Sequence, residues 1–210
     1  SEMCIRDRND AGLGMLQALG FRFYDQNGEI LGKGGQILDQ IVAIDFSSVH
    51  PALKDARFTI ACDVRNPFSG PEGAAYVFAR QKGADGAMIE KLDAGMKRFS
   101  RLIHSTTGRE ITEVAGAGAA GGLGGAFLAF LNAELKPGIE LLLRTLKFDE
   151  KIKDADLIIT GEGRVDRQSV MGKVPFGILE EANKQGIPVI VVAGSIADTE
   201  VCLLYTSDAA

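Results

Sequence analysis

Apolar residues return along the chain with two different periods, and the change of period marks out the elements. From Asp85 onward Met88, Leu92, Met96, Phe99, Leu102 and Ile103 recur at helical spacing. A long amphipathic helix is therefore predicted, with Asp85 as its N-cap and Gly108 as its stop. Its Met and Phe stripe reads as core. Residues 58–62 and 187–192 are continuous apolar runs with β-branched residues, as expected of buried strands. Residues 156–160 end a similar run at a turn bracketed by Gly161 and Gly163. With a helical pattern over 175–184 stopped by Gly186, the last third reads strand, helix, strand, a parallel βαβ crossover.

The first half is more mixed. Asp10 introduces a short helix that Gly20 ends, which makes Asp10 either a plain N-cap or a ligand residue. Residues 21–25 alternate apolar and polar, residues 26–29 are a turn signal, and Ile30 and Leu31 resume, so a hairpin is expected. A short helix and then a strand follow over 36–46, a helical turn from Pro51, and a helix over 73–83 that frays at Gln81-Lys82-Gly83. Helices over 139–146 and 148–153 complete the prediction.

Composition narrows the class. The 210 residues, 46% of them hydrophobic, suffice to bury a sizeable core in one or two domains. A net charge of -5 argues against a general nucleic-acid or anionic-membrane surface and leaves room for a local basic pocket. No apolar run approaches the roughly 20 residues that cross a bilayer, and the lack of a span or leader favours the cytoplasm. Cys4, Cys62 and Cys202 have neither metal-ligand nor disulfide-framework spacing, so they read as free thiols. His50 reads as a surface loop residue and His104 as a partly buried or surface helix residue. Residues 1–8 and 201–210 resemble translated sequencing-adapter read-through and are set aside from fold reasoning.

Three stretches carry candidate chemistry. In the first, residues 156–173, an apolar strand leads into a loop rich in Glu, Arg, Asp, Gln and Lys, with Ser169 at an N-cap position. Ligands collect beyond the carboxyl ends of strands in open α/β sheets, and a helix N-terminus offers N–H groups to an anion, so a phosphate is the natural guest. Lys173 and Arg164 can neutralise phosphoryl oxygens, while Asp166 and Glu162 can hold Mg²⁺ or accept a proton. The glycine and lysine spacing of a Walker A loop is absent, and a solvated βα turn is the plain alternative. In the second stretch Asp63 and Asn66 follow a strand, where they suit a substrate hydroxyl, a carboxylate or Mg²⁺, or simply form an Asx-type turn. Lys82 can reach a carboxylate. The third, Gly116-Ala117-Gly118-Ala119-Ala120-Gly121, satisfies the dinucleotide fingerprint. A Rossmann unit requires a second parallel strand with an acidic tip, whereas Lys136-Pro137-Gly138 leads into another helix. Close backbone approach to a ligand, or tight helix packing, remains.

Taken together, the run Ile159-Thr160-Gly161-Glu162-Gly163-Arg164-Val165-Asp166-Arg167-Gln168-Ser169 with Gly172-Lys173-Val174-Pro175, the block Ala61-Cys62-Asp63-Val64-Arg65-Asn66-Pro67-Phe68 with Gln81-Lys82-Gly83-Ala84 following, and the Ala115–Gly124 block resemble the bacterial glycerate kinase family in order and spacing. The resemblance runs from about residue 9 to residue 198 and implies a two-domain α/β fold. A flavodoxin-like doubly wound domain would receive an inserted mixed α/β domain, with the active site between them. Residues 9–20 would belong to the nucleotide-side core, 21–115 to the insertion and 116–200 to the Gly-rich helix and parallel core. The doubly wound domain would be incomplete, because the family's opening strand, its Ser/Lys turn and the segment after residue 198 are missing. The implied reaction transfers phosphate from ATP to D-glycerate, with Mg²⁺. It implies Asp166, Lys173 and Asp63 as catalytic, and Gly161, Glu162, Gly163, Arg164, Gln168, Ser169, Gly116, Gly118 and Gly121 around the phosphates. Asn66 and Asp10 would touch the substrate, and Asp166 the metal. A Rossmann-type NAD oxidoreductase and a non-catalytic phosphate-binding module are the rival readings.

Overall fold

The computed structural model describes residues 9–165 and 174–196. The chain divides into two compact units, Ser1–Leu135 and Lys136–Ala210.

The first unit is organised around one long helix. Helices α1 (Leu13–Ala18), α2 (Ala74–Phe78), α3 (Gly86–Thr107) and α4 (Ala119–Phe130) surround strands β1 (Arg22–Tyr24), β2 (Ala43–Asp45), β3 (Thr59–Ala61) and β4 (Glu134–Lys136) in chain order. α3 has the predicted limits for the predicted reasons. Asp85 Oδ1 accepts the Met88 N–H at 2.8 Å, and Gly108 closes the helix at φ 73°. Ile89, Met96, Phe99 and Ile103 form its buried stripe, whereas Met88, expected in the core, is exposed. Phe99 meets Phe23 edge-on with centroids 5.9 Å apart and stacks near Phe130 at 6.4 Å, an arrangement that suits the aromatic quadrupole.

Three local expectations change. The hairpin turn exists, with Asp25 Oδ1 accepting the Asn27 and Glu29 N–H groups, yet its return is a single bridge, Tyr24 to Ile30. β1 pairs instead with β2, antiparallel, Phe23 opposite Ile44. Gly32, Gly34 and Gly35 break the return run before it can form a strand. The strand over 58–62 is shorter and less buried than its composition suggests, with Thr59 and Ala61 exposed. It pairs with β4, unforeseen in the sequence, through the Glu134 N–H to the Phe58 carbonyl at 2.9 Å. Finally, the first helix starts at Leu13, and Asp10 accepts from the Gly12 N–H (3.0 Å) and the Gly14 N–H (3.3 Å).

The Gly-rich block folds as α4 with a left-handed interruption at Ala120, Gly121 and Gly122 (φ 51°, 75° and 93°). It faces a second left-handed pair, Ala11 and Gly12 (φ 52° and 76°), and the Ala11 N–H donates to the Gly121 carbonyl at 3.0 Å. A Cβ on Gly122 would lie 2.8 Å from Met96 Cε and 2.9 Å from Ala11 Cα. The glycines are thus required where two backbones and the Phe68 ring converge.

The second unit holds α5 (Gly138–Thr145), α6 (Phe148–Lys151), β5 (Ile158–Val165), α7 (Val174–Asn183) and β6 (Val189–Ile196). β5 and β6 are parallel, Ile159 opposite Ile190, with α7 as the crossover, as predicted. Both strands run further than their apolar cores. Gly161, Glu162 and Arg164, expected in a turn, pair with Val192, Ala193 and Ser195. Main-chain pairing with a partner strand carries polar residues and glycines into the ladder despite their low strand propensity. Among the described residues of this unit, Ile152, Ala182 and Ile187 form a buried apolar cluster.

Candidate functional site

Two groups of predicted residues can be built upward from their elements. In the second unit Gly161, Glu162, Gly163 and Arg164 occupy the carboxyl end of β5, and α7 opens at Val174 with Pro175 in its first turn. A proline there gives up an N–H that has no helical partner. Glu162 Oε1 accepts the Gly163 N–H at 3.0 Å. A Cβ on Gly194 would come 2.9 Å from the Gly163 carbonyl oxygen, so the two strand tips approach through glycine. Asp166, Gln168, Ser169 and Lys173 lie outside the described residues. This strand end followed by a helix start is the geometry that accepts phosphates.

In the first unit the structure brings the Asp63–Asn66 segment and the Gly-rich turn together. The Gly118 N–H donates to the Asn66 carbonyl at 3.0 Å, and Asn66 Nδ2 donates to the Glu72 carbonyl at 2.9 Å. A Cβ on Gly118 would overlap the Pro67 carbonyl oxygen, and one on Gly116 would lie 3.0 Å from Cys62 Sγ. Gly116 and Gly118 are therefore set by close backbone packing against the loop that follows β3. Gly121 uses its carbonyl on Ala11. The Gly122 N–H turns back to the Gly118 carbonyl at 3.2 Å, unlike the open N–H cradle of a dinucleotide helix.

Asp93, a buried carboxylate on α3, supports the same loop. Its Oδ1 accepts the Gly70 N–H at 2.7 Å and its Oδ2 pairs with Lys97 Nζ at 2.8 Å. The hydrogen bond from Lys97 to Asp93, and then the carboxylate's charge, hold the Lys97 ammonium above its ordinary pKa of 10.5. Asp93 escaped the sequence reading because it sits inside a helical pattern, where an Asp is ordinarily solvated.

Asp10 lies in a third place, a cavity of about 410 Å³ lined also by Asn9, Lys33, Gly35, Asp39, Lys82 and Lys91. Lys82 Nζ donates to Asn9 Oδ1 at 2.8 Å, and Asn9 Nδ2 donates to the Ala74 carbonyl at 3.0 Å. Lys33, Asp39 and Lys91 carried no local signal, apart from the Lys33-Gly34-Gly35 loop. His50 is exposed and caps a 3₁₀ turn, with Nδ1 accepting the Ala52 N–H at 3.3 Å, and His104 Nδ1 lies 4.0 Å from Glu110 Oε2. Among the described residues no group of three His, Cys, Asp or Glu side chains converges for a metal, and no helix is long and apolar enough to cross a membrane.

Comparison with known proteins supplies the remaining context. The model of the glycerate kinase family matches residues 7–208. "Glycerate kinase" from Halalkalibacterium halodurans is 48% identical over 188 residues, 90% of this chain and 50% of that protein. "Glycerate 2-kinase" from Escherichia coli K12 is 48% identical over 190 residues, again 90% of this chain and 50% of the relative. A crystal structure from Salmonella typhimurium LT2 described as glycerate kinase 2 superposes with a TM-score of 0.80 at 42% identity, over 90% of this chain and 52% of that one. The chain spans about half the length of the curated relatives it matches.

Proposed function

The chain belongs to the glycerate kinase family, and on that premise we propose that it serves an ATP-dependent kinase converting D-glycerate to 2-phosphoglycerate in the cytoplasm. The observation that carries the reading is the reach of the family match. It spans residues 7–208 and so includes every candidate from Asp10 to Lys173. The β5 end and the start of α7 supply the anion-binding frame that such chemistry needs.

In this reading Arg164 and Lys173 neutralise the phosphoryl oxygens, with Gly161, Gly163, Gln168 and Ser169 around them. The substrate hydroxyl oxygen forms a bond to the γ-phosphorus as the bond from that phosphorus to the β–γ bridging oxygen breaks and ADP leaves. The hydroxyl proton passes to Asp166 or Asp63. Mg²⁺, when bound, shields the phosphate charge. Such an ion needs only one or two protein carboxylates beside the phosphates, a donor set that Asp166 and Glu162 suit. Positioning and charge stabilisation carry most of the rate enhancement. Asn66 and Asp10 face the organic acid, and Gly116, Gly118 and Gly121 shape the backbone that presents Asn66. The full two-domain arrangement, with the flavodoxin-like part receiving an inserted domain, belongs to this same proposal.

The test is a chimaera in which this chain replaces the matching segment of the Escherichia coli relative. D-Glycerate-dependent ADP release is expected, with 2-phosphoglycerate identified by phosphorus NMR. Arg164→Ala should lower kcat/KM on the order of 100-fold. A folded chimaera that releases no ADP, or an Arg164→Ala variant with undiminished turnover, overturns the proposal.

A further inference from the structure

Helix α3 carries a carboxylate where its own pattern calls for an apolar residue. Asp93 lies one turn from Ile89 and Met96 on the buried face and is 3% exposed. Taking a charge out of water is costly, and apolar side chains in place of a buried ion pair are often neutral or stabilising. Packing alone therefore does not call for this residue. Its carboxylate holds a loop instead: Oδ1 accepts the Gly70 N–H at 2.7 Å, a short charge-assisted bond, while Lys97 balances Oδ2 at 2.8 Å. Ser69, equally buried beside Gly70, makes no side-chain hydrogen bond. Among the described residues the side-chain anchor at this end of the loop is Asp93.

From that anchor a chain of hydrogen bonds reaches Asn66. Gly70 stands at φ 98°, and its carbonyl accepts the Gly73 N–H at 2.8 Å, which closes a turn over 70–73. The Glu72 carbonyl, inside that turn, accepts Asn66 Nδ2 at 2.9 Å. The main chain of Asn66 is held separately by the Gly118 N–H, so the bond to Glu72 sets the direction of the side chain. With Nδ2 engaged, Oδ1 remains to accept a bond from a hydroxyl.

We infer that Asp93 is a positioning residue, which acts through Gly70 and the turn over 70–73 to hold the Asn66 amide in the orientation that meets the organic acid. The inference rests on the kinase reading for the acid, and on the hydrogen bonds of this one unit for the tether. Phosphoryl transfer depends on alignment of the acceptor hydroxyl with the donor. A turn released at Gly70 lets Glu72 shift, and the Asn66 side chain shifts with it. The acid is then held less firmly, while the nucleotide contacts proposed at the end of β5 are untouched.

The tether is tested on this chain by NMR, with circular dichroism reporting the fold of each variant. Asp93→Ala should shift the Asn66 side-chain amide resonances and speed hydrogen exchange at the Gly70 N–H. Asp93→Asn, which keeps an oxygen for Gly70, should return both toward the parent. The effect on the reaction is tested in the chimaera. Asp93→Ala should raise KM for D-glycerate about tenfold and leave KM for ATP unchanged, with rescue in Asp93→Asn. A loss of folded protein alone would lower kcat and move neither KM. In an Asn66→Ala background Asp93→Ala should add little, as expected of residues that act in series. Unmoved Asn66 resonances in a folded Asp93→Ala variant, equal changes in both KM values, or an undiminished effect beside Asn66→Ala overturns the inference. A folded chimaera that releases no ADP, with Asn66 still following Asp93, would defeat the kinase reading alone. Turnover with KM for D-glycerate indifferent to Asp93 would defeat the positioning role alone.

Discussion

The two units bury apolar surface in very different ways. The first closes around Phe23, Phe68 and Phe99, all fully buried, together with Leu13, Leu16, Leu38, Met96 and Ile103. Among its described residues the second buries Ile139, Leu143, Ile152, Ala182 and Ile187, and the β5–β6 pair has α7 packed against it while Leu157, Ile159, Ile190 and Val192 stay exposed, Ile159 at 67%. Ile159 and Ile190 face each other across the ladder, so these residues share one side of the sheet. The strand end proposed to meet phosphate thus stands on the unit with fewer buried apolar residues among those described, and the loop proposed to face the acid stands on the other. A rigid core suits groups that must hold a small acid in one pose, since pre-organised contacts lose little entropy on binding.

Core truncation is the sharpest way to break this comparison. Phe99→Ala should cost about 3–5 kcal/mol, read by urea denaturation, because a ring that packs on two others cannot be replaced by local collapse. Ile187→Ala in the second unit should cost at the low end of its range, about 2 kcal/mol. Equal costs would remove the contrast. A smaller effect sharpens it. Asp93→Ala leaves the Gly70 N–H without its acceptor and should cost about 1–3 kcal/mol. The same variant should alter the alkaline limb of stability. Lys97 has a raised pKa in the folded state, so its contribution is complete below the ordinary lysine value of 10.5. That contribution disappears as pH rises through the higher folded value. Stability measured from pH 9 upward should fall in the parent chain and lose that component in Asp93→Ala. The smallest change is expected on the exposed sheet side. Ile159→Thr should shift stability by no more than about 0.5 kcal/mol while reducing self-association in light scattering, since exposed apolar strand faces promote it.

What was legible in the sequence follows from how far each signal reaches along the chain. α3 was readable because Asp85, Gly108 and the 3.6-residue stripe are local statements. The crossover from β5 through α7 to β6 was readable for the same reason, down to Gly186 as the helix stop. Pairing was not. β1 chooses β2 over the nearby Ile30 run, and β4 exists as a strand only because Phe58 offers it a carbonyl from far along the chain. The glycine block was visible as a motif, but its partners, Ala11, Met96 and Phe68, come from three separate segments. The cavity is the extreme case. Lys33, Lys82 and Lys91 have no shared spacing, and only Asp10 and Lys82 were singled out beforehand. The family resemblance pointed to residues 161–164 directly, since they are consecutive.

Helix α3 joins two features of the first unit. Met88, Lys91 and Leu92 line the cavity, and Asp93, the next residue, tethers Gly70 in the loop that follows Asn66. A single α-helical turn therefore acts as a ruler between the two, and any slide of the helix carries both along with their separation unchanged. A change in the size of that cavity that leaves the spacing intact has to come from the strap over 33–36, where Gly34 and Gly35 stand.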